Sequence, residues 1–467
     1  MEDAPRPNIL LIQSDQHRYD CTGRGGHPLV RTPALDRLAA DGVWFTHAFT
    51  PSPICCPARQ SLMCGMWPEQ HGGLWNHGGG LPLPPFEQRT WTAALCEAGY
   101  RLSHEGKWQV HPTRGPTAFG FHDVIPSEAY GAWRRDAGLP EARPDGWEWF
   151  GGVDPVAPEQ TRPFWLAARA VELLATYAGR PEPWHLRLNL DEPHLPCFPA
   201  GPYAELYDPE EIAPWGNASD SLEAKPYIQR QQRASWGIEG LRWNEWAVYV
   251  ARYLAMVTQT DAAIGELLDA LDRLGLRGST LVVYTTDHGD ACGSHGLIDK
   301  HYTMYDELVR VPLVVRWPGA VVAGAESDAM VVQALDLAAT MYEAACLPVP
   351  SDCQGRSLVP VLRGTTPDDW RRDVVATYNG AQFGLYVQRM LRDRRWKYVW
   401  NPTDVDEVYD LAEDPWELTN RVADPACADV LSAMRARLYE QLCAQGDPVV
   451  ANAWMRRQLL EGHKLTR

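Results

Sequence analysis

A few short stretches of this chain carry side chains whose types and spacing could do chemistry. One is Cys55-Cys56-Pro57-Ala58-Arg59, which runs into Gln60-Ser61-Leu62-Met63. Pro57 so close to the start predicts a helix beginning near residue 55, because proline's missing N–H costs nothing in a first turn. The unpaired N–H groups and positive dipole end there favour an anion on residue 55 or bound beside it. The others are Asp15 and Asp287, which follow the apolar runs Ile9-Leu10-Leu11-Ile12 and Leu281-Val282-Val283-Tyr284. Carboxylates suit a hard cation, and His288 next to Asp287 adds a nitrogen ligand. Taken singly, a Cys-Cys-Pro helix start is unremarked, and a strand-end aspartate is usually a cap or turn residue. Two such strand ends with a nucleophile candidate between them in sequence point to an anion-cleaving metal site, provided neighbouring parallel strands bring them to one edge.

Strand-like runs alternating with helical periodicity supply that arrangement and predict an α/β layout. Thr32-Pro33-Ala34-Leu35-Asp36-Arg37-Leu38-Ala39 reads as a helix: Thr32 can cap it, Pro33 fits its first turn, and Gly42 can end it. A long helical region runs from about Trp246 to Leu274, with Ile264, Leu267, Leu268 and Leu271 at helical spacing. An alternating strand at Leu186 to Leu190 leads into Glu192-Pro193-His194. Residues 113–160 and 197–240 mix Pro, Gly, Trp and charge without period and read as loops shaping a cleft. After residue 365 the texture changes to a hairpin around Asp393-Arg394 and a terminal helix over Leu431 to Leu442. Domains of 1–365 and 366–467 are therefore expected.

The 467 residues allow a large core, and 45% hydrophobic with 22% charged content is that of a soluble globular protein. A net charge of −17 argues against nucleic acid or an anionic membrane as partner, so any anion must be held by local cations or a metal. The start Met1-Glu2-Asp3-Ala4-Pro5 shows no basic, apolar leader, and the expectation is a cytoplasmic protein. The eleven cysteines lack CxxC pairs, which fits buried thiols in a reducing compartment rather than a zinc module. The tryptophans between Trp133 and Trp246 read mainly as core and surface contacts.

Cys55-x-Pro57-x-Arg59 followed by Leu62-Met63-Cys64-Gly65 resembles the signature of the sulfatase family. In that family the first cysteine is oxidised to formylglycine, whose hydrated aldehyde is the nucleophile. Only Cys55 has Pro at +2 and Arg at +4, so Cys56 is a bystander. The opening Asn8 to Gln16, the helix at Thr32, the stretch Thr286-Asp287-His288-Gly289-Asp290 with Gly293-x-His295-Gly296, Arg310-Val311-Pro312-Leu313 and Tyr409-Asp410-Leu411 extend the resemblance in order along the chain. Position by position, it implies that Asp15, Gln16, Asp287 and His288 hold one divalent cation together with an oxygen of modified Cys55. Gln16 stands where many relatives have a second Asp, which resembles phosphonate monoester hydrolases and leaves Ca²⁺, Mn²⁺ and Mg²⁺ open. Arg59 would stabilise the nucleophilic oxyanion, Lys107 and Lys300 would contact the anion, and His194 would protonate the leaving group. Gly106-Lys107-Trp108 departs from the family's Gly-Lys-Trp-His at Gln109, so that either His111 takes over the role or the role is absent, and Asn76 and His77 are weaker pocket candidates.

The implied fold is the alkaline-phosphatase-like α/β sandwich: a large mixed sheet between helices, then a smaller C-terminal antiparallel sheet with a helix. The implied reaction is hydrolysis of a small-molecule or saccharide sulfate ester, after maturation by a formylglycine-generating enzyme. One hydroxyl of the aldehyde hydrate attacks sulfur, and the second drives out sulfate, an elimination that a plain thiolate could not perform. The alternatives are a phosphonate monoester or phosphodiester hydrolase using the same residues, and a non-catalytic anion- or metal-binding homologue.

Overall fold

The computed structural model describes residues 6–78, 83–84, 86–381, 384–462 and 464. The opening Met1 to Pro5 and, within the expected 366–467 domain, residues 382–383, 463 and 465–467 lie outside the described residues.

Eight strands form one mixed sheet. They are β1 (Asn8–Asp15), β2 (Val43–Phe45), β4 (Arg101–Gly106), β5 (Asp123–Pro126), β6 (Trp184–Pro193), β7 (Thr280–Thr286), β8 (Leu313–Arg316) and β9 (Ala325–Ser327). The order across the sheet is β5-β4-β6-β1-β7-β8-β2-β9. From β5 to β7 neighbours run parallel, whereas β8 is antiparallel to both β7 and β2. Two short strands, β3 (Ala48–Phe49) and β10 (Val331–Val332), pair beside it.

The period-2 geometry of β1 divides the core. Ile9 and Leu11 face one layer with Leu62 of the helix Cys55–Cys64, Trp91 of Trp91–Glu97 and Leu337 of Gln333–Ala344. Leu10 and Ile12 face the other, with Leu35 and Leu38 of Pro33–Ala40, Leu174 of Arg162–Tyr177 and Leu267 of Trp243–Arg273. This is a three-layer α/β sandwich. Because the central strands are parallel, their C-terminal ends open on one edge, where loops must carry polar residues.

A second, antiparallel sheet follows: β11 (Val374–Ala381), β12 (Gly384–Arg392), β13 (Trp396–Trp400) and β14 (Glu407–Asp410). The hairpin expected around Asp393-Arg394 is the β12–β13 turn, with Arg392 opposite Lys397. Met434, Leu438 and Leu442 of the helix Ala428–Gln445 are buried in the same apolar cluster as Val374, Tyr378 and Met390, and that cluster continues into the first layer of the main core.

Several local expectations change. Thr32 does not cap its helix through its side chain; Asp261 of the long helix accepts from Ala34 N and Leu35 N instead. The segments read as loops contain the helices Ser127–Asp136 and Tyr227–Trp236, whose mostly polar sequences hide the apolar period. The helix over Leu431 to Leu442 is not the last, since Ala453–Glu461 follows it. Among the described residues no helix is long and apolar enough to cross a membrane.

Candidate active site

Parallel pairing of β1 with β7 sets Ser14 opposite Thr286, so Asp15 and Asp287 leave adjacent strands side by side. The helix Cys55–Cys64 begins beneath them with every residue buried. At its start Cys56 N donates to Asn76 Oδ1 at 2.9 Å, so Asn76 satisfies one of the unpaired helix amides. That fixes the first turn, with Cys55 Sγ 3.2 Å from His288 Nε2 and 3.9 Å from Asp15 Oδ1. Asp15, Cys55, Asp287 and His288 each offer one ligand atom, and these atoms lie within 4.8 Å of one another, all four residues being buried.

Each group in this cluster is oriented from outside. Arg59, one turn along the helix from Cys55, donates from Nε to Asp287 Oδ2 and from Nη2 to Asp15 Oδ2, both at 2.8 Å. Lys107 Nζ stands 2.6 Å from the same Asp15 oxygen. Gly106, which precedes it, turns at φ +85, and a Cβ there would meet Asn189 O at 1.9 Å. Only glycine allows the chain to leave β4 that tightly and aim Lys107 at the site. His288 donates from Nδ1 to Gly289 O at 2.8 Å, which selects the tautomer whose Nε2 lone pair faces Cys55. Two carboxylates and a prepared imidazole are a donor set for a divalent cation, and the residues present fit one. The thiol is the odd member; an oxygen at residue 55 would make the set harder.

The charges follow from this packing. Burial pushes the Asp15 carboxyl up, but Lys107, His194 and Arg59 outweigh it and hold it well below its ordinary value. Burial, reinforced by the Asp15 charge, pushes the Cys55 thiol up to about 11, so it stays protonated at neutral pH. The helix-end effect that favours an anion on residue 55 is thus overcome by desolvation.

The second anion-contact candidate closes the site from the other side. Lys300 Nζ donates to His194 Nε2 at 2.8 Å, Gln16 Oε1 at 2.9 Å and Asp299 Oδ1 at 3.0 Å. Burial opposes its charge, yet Asp299, Cys55 and Asp15 raise its pKa. His194 donates from Nδ1 to Leu195 O at 2.6 Å. Burial, together with Lys300 and Lys107, pushes His194 down to about 3. The imidazole expected as proton donor is therefore neutral here, and the proton between the two belongs to Lys300. Gln16, expected as a ligand, turns its carbonyl oxygen to Lys300 and its amide to Asp290 Oδ2.

A cavity of about 730 Å³ opens beside Lys107 and His194. Gln109, His111, Arg162, Asp191 and Phe198 are among its walls. His111 accepts from Thr113 N and Arg114 N at Nδ1, which leaves a buried Nε2–H without a partner among the described residues. Asn76 is not among the cavity residues, because its oxygen is committed to the helix amide, but His77 is. None of the tryptophans between Trp133 and Trp246 lines this cavity. Sequence reasoning missed Arg162, Asp191 and Asp299. Asp191 adjoins the Glu192-Pro193-His194 stretch and Asp299 adjoins Lys300, whereas Arg162 has no such signal.

A profile of the sulfatase family matches residues 7–346, and one described as N-sulphoglucosamine sulphohydrolase, C-terminal, matches residues 293–444. An uncharacterized sulfatase of Escherichia coli (strain K12) is 30% identical over 97% of this chain and 90% of its own length. An N-acetylglucosamine-6-O-sulfatase of Bacteroides thetaiotaomicron is 26% identical over 90% of this chain and 83% of its own. Among solved structures, the phosphonate monoester hydrolase of Agrobacterium radiobacter superimposes with a TM-score of 0.80 at 25% identity, covering 95% of this chain and 96% of that one.

Proposed function

This chain belongs to the sulfatase family, and we propose that it hydrolyses a sulfate ester with a formylglycine made from Cys55, beside a divalent cation held by Asp15, Asp287 and His288. The observation that carries this reading is the position of residue 55. Its β-substituent lies within 4.8 Å of two carboxylates and an imidazole, yet its thiol is pushed up to about 11. A thiolate nucleophile would need the opposite environment. An oxygen nucleophile there would be well served. When bound, the cation supplies a Lewis acid that lowers the pKa of a hydroxyl on residue 55 and draws charge from the sulfate oxygens.

The remaining work falls to the chain's own groups. Arg59 sits between both carboxylates and offsets their charge. Lys107 and Lys300 flank the position a sulfate would take, each carrying positive charge into a buried site. Lys300, hydrogen-bonded to His194 Nε2, supplies the proton or the charge that the departing ester oxygen needs. The alcohol half would occupy the adjacent cavity, whose formal charges from Lys107, Arg162, Asp191 and Glu128 balance and whose Phe198 and proline faces are apolar. A hydroxyl-rich, uncharged group such as a saccharide suits such walls, in line with the N-acetylglucosamine-6-O-sulfatase relative. Maturation requires a formylglycine-generating enzyme acting on the Cys55 segment before it is buried.

Gln16 favours a second reading, hydrolysis of a phosphonate monoester or phosphodiester, in keeping with the similarity to a phosphonate monoester hydrolase. Both esters bring a single negative charge to the same geometry. The test pairs peptide mass spectrometry of residue 55 with kcat/KM for an aryl sulfate and the matching aryl phosphonate. Conversion of Cys55 with a higher value for the sulfate is expected. A fully retained thiol in active protein overturns the nucleophile, and a far higher value for the phosphorus ester establishes the second reading.

A further inference from the structure

Lys300 carries its ammonium on an unusual piece of backbone. Asp299, His301 and Tyr302 have φ values of +64, +85 and +54, a region that L residues occupy sparsely and that persists only where surroundings over-determine it. Asp299 O accepts from Ala291 N at 2.8 Å, and Lys300 O accepts from Gln232 Nε2 at 2.8 Å. From the C-terminal sheet, Tyr378 OH lies 3.4 Å from His301 Nδ1, Tyr302 OH donates to Gly384 O at 3.1 Å, and the Tyr302 and Tyr378 rings meet edge to face at 5.2 Å. The turn is gripped from the loop after β7, from the helix Tyr227–Trp236 and from the C-terminal sheet.

What this grip fixes is the Asp299 carboxylate, 2% exposed, with Oδ1 3.0 Å from Lys300 Nζ and Oδ2 3.4 Å from His301 Nε2. An ammonium has three N–H donors and a flexible four-carbon stem. Here all three have acceptors, of which Gln16 Oε1 and His194 Nε2 are neutral and Asp299 alone is anionic. With Asp299 and Gln16 taking two donors, the third has a single remaining direction, towards His194 Nε2 and the space above Cys55. We propose that Asp299 is a positioning residue, a carboxylate locked by the braced turn that aims Lys300 at His194 and at the departing ester oxygen. This rests on the reading that the Lys300–His194 pair serves the leaving group.

The discriminating measurement is leaving-group dependence in the metal-replete enzyme with modified residue 55. A buried counter-ion needed only for folding would, when lost, reduce turnover of every substrate by the same factor. A positioning group should matter most where the departing oxygen is most basic. For Asp299→Asn we expect kcat to fall at least about tenfold for phenyl sulfate and much less for para-nitrophenyl sulfate, with KM changing by less than about twofold. Lys300→Ala should steepen the series in the same way, and adding Asp299→Asn to it should cost little more, because both act on one group. Asp299→Glu, which keeps the charge but shifts it, should fall between wild type and Asp299→Asn, and it carries the test if the asparagine variant does not fold. A uniform loss across the series in Asp299→Asn, with a steep series in Lys300→Ala, overturns the positioning role alone. A uniform series in Lys300→Ala overturns the leaving-group reading and the proposal with it.

Discussion

Arg59→Gln removes the guanidinium that bridges the two carboxylates of the site, and its cost can be worked from the geometry. Both contacts are 2.8 Å and neither partner has any exposure. At a charge separation of about 4 Å and an effective dielectric of about 20, each pair is worth about 4 kcal/mol before desolvation is subtracted. Breaking one side of a buried pair typically costs about 3–5 kcal/mol, because the orphaned charge stays buried. Asp15 keeps Lys107 at 2.6 Å, so the loss falls mainly on Asp287 and the lower half of that range applies. Glutamine retains the chain length and one donor amide but no charge. In chelator-treated protein we therefore expect a loss of about 3 kcal/mol in urea denaturation followed by tryptophan fluorescence. A divalent cation restores a positive charge to the same spot, and at a hundredfold excess over Kd it stabilises by about 2.7 kcal/mol. The variant, with the more negative site, binds it more tightly, so the gap between the two proteins should narrow on adding Ca²⁺ or Mn²⁺. A metal-free loss below about 1 kcal/mol, or a gap that widens with metal, would refute this charge balance.

Other substitutions probe the same site separately. Cys55→Ala should abolish turnover and leave the melting temperature nearly unchanged, while Cys56→Ala retains most activity; equal losses in a kinetic assay would contradict the register of the nucleophile. Asp15 titrates in the unfolded chain near 3.8 and well below that when folded, where Lys107, His194 and Arg59 overcome burial. Its contribution is thus present above pH 4 and lost as pH falls through the folded value, since the unfolded chain then binds more protons. Urea midpoints of metal-free protein should drop on acidification below pH 4, and Asp15→Asn should both lower the neutral-pH midpoint and flatten that drop.

Much of this arrangement is legible in the sequence because it is local. Apolar runs of strand length ending in Asp15 and Asp287 fix which side chains leave β1 and β7 together, and Pro57 marks where the nucleophile helix starts. The covalent neighbourhood says nothing, however, of what arrives from elsewhere. Thr32 has every local credential of a cap, yet Asp261 reaches the helix start first because the long helix packs there. Asn76 looks like a pocket residue until the helix amide of Cys56 is seen to need an acceptor. His194 between prolines suggests a held imidazole, but only the structure sets it, buried, 2.8 Å from Lys300, where burial and the lysine charge leave the proton on the lysine. The turn at Asp299 depends on Tyr378 of the C-terminal sheet, which no spacing near residue 300 announces.

The glutamine at position 16 shows how one such distant contact constrains the choice of residue. Its backbone turns at φ +68 and its two ends face opposite demands, with Oε1 accepting from Lys300 and Nε2 donating to the buried Asp290. Burial, and then the Asp299 charge, pushes the Asp290 carboxyl up to about 6, so at neutral pH it is largely ionised. An aspartate at position 16 would answer Lys300 but set a second carboxylate against Asp290, in a volume where like charges are poorly screened. Gln16→Asp should therefore gain affinity for a divalent cation through its added charge and still lower the melting temperature of metal-free protein. Pairing it with Asp290→Asn removes the repulsion and supplies an amide facing the new carboxylate, so the double variant should recover most of the lost stability while keeping the tighter metal binding. Melting curves and cation titrations of the single and double variants decide it: a double variant no more stable than Gln16→Asp would show that the amide at position 16 is not there to serve Asp290.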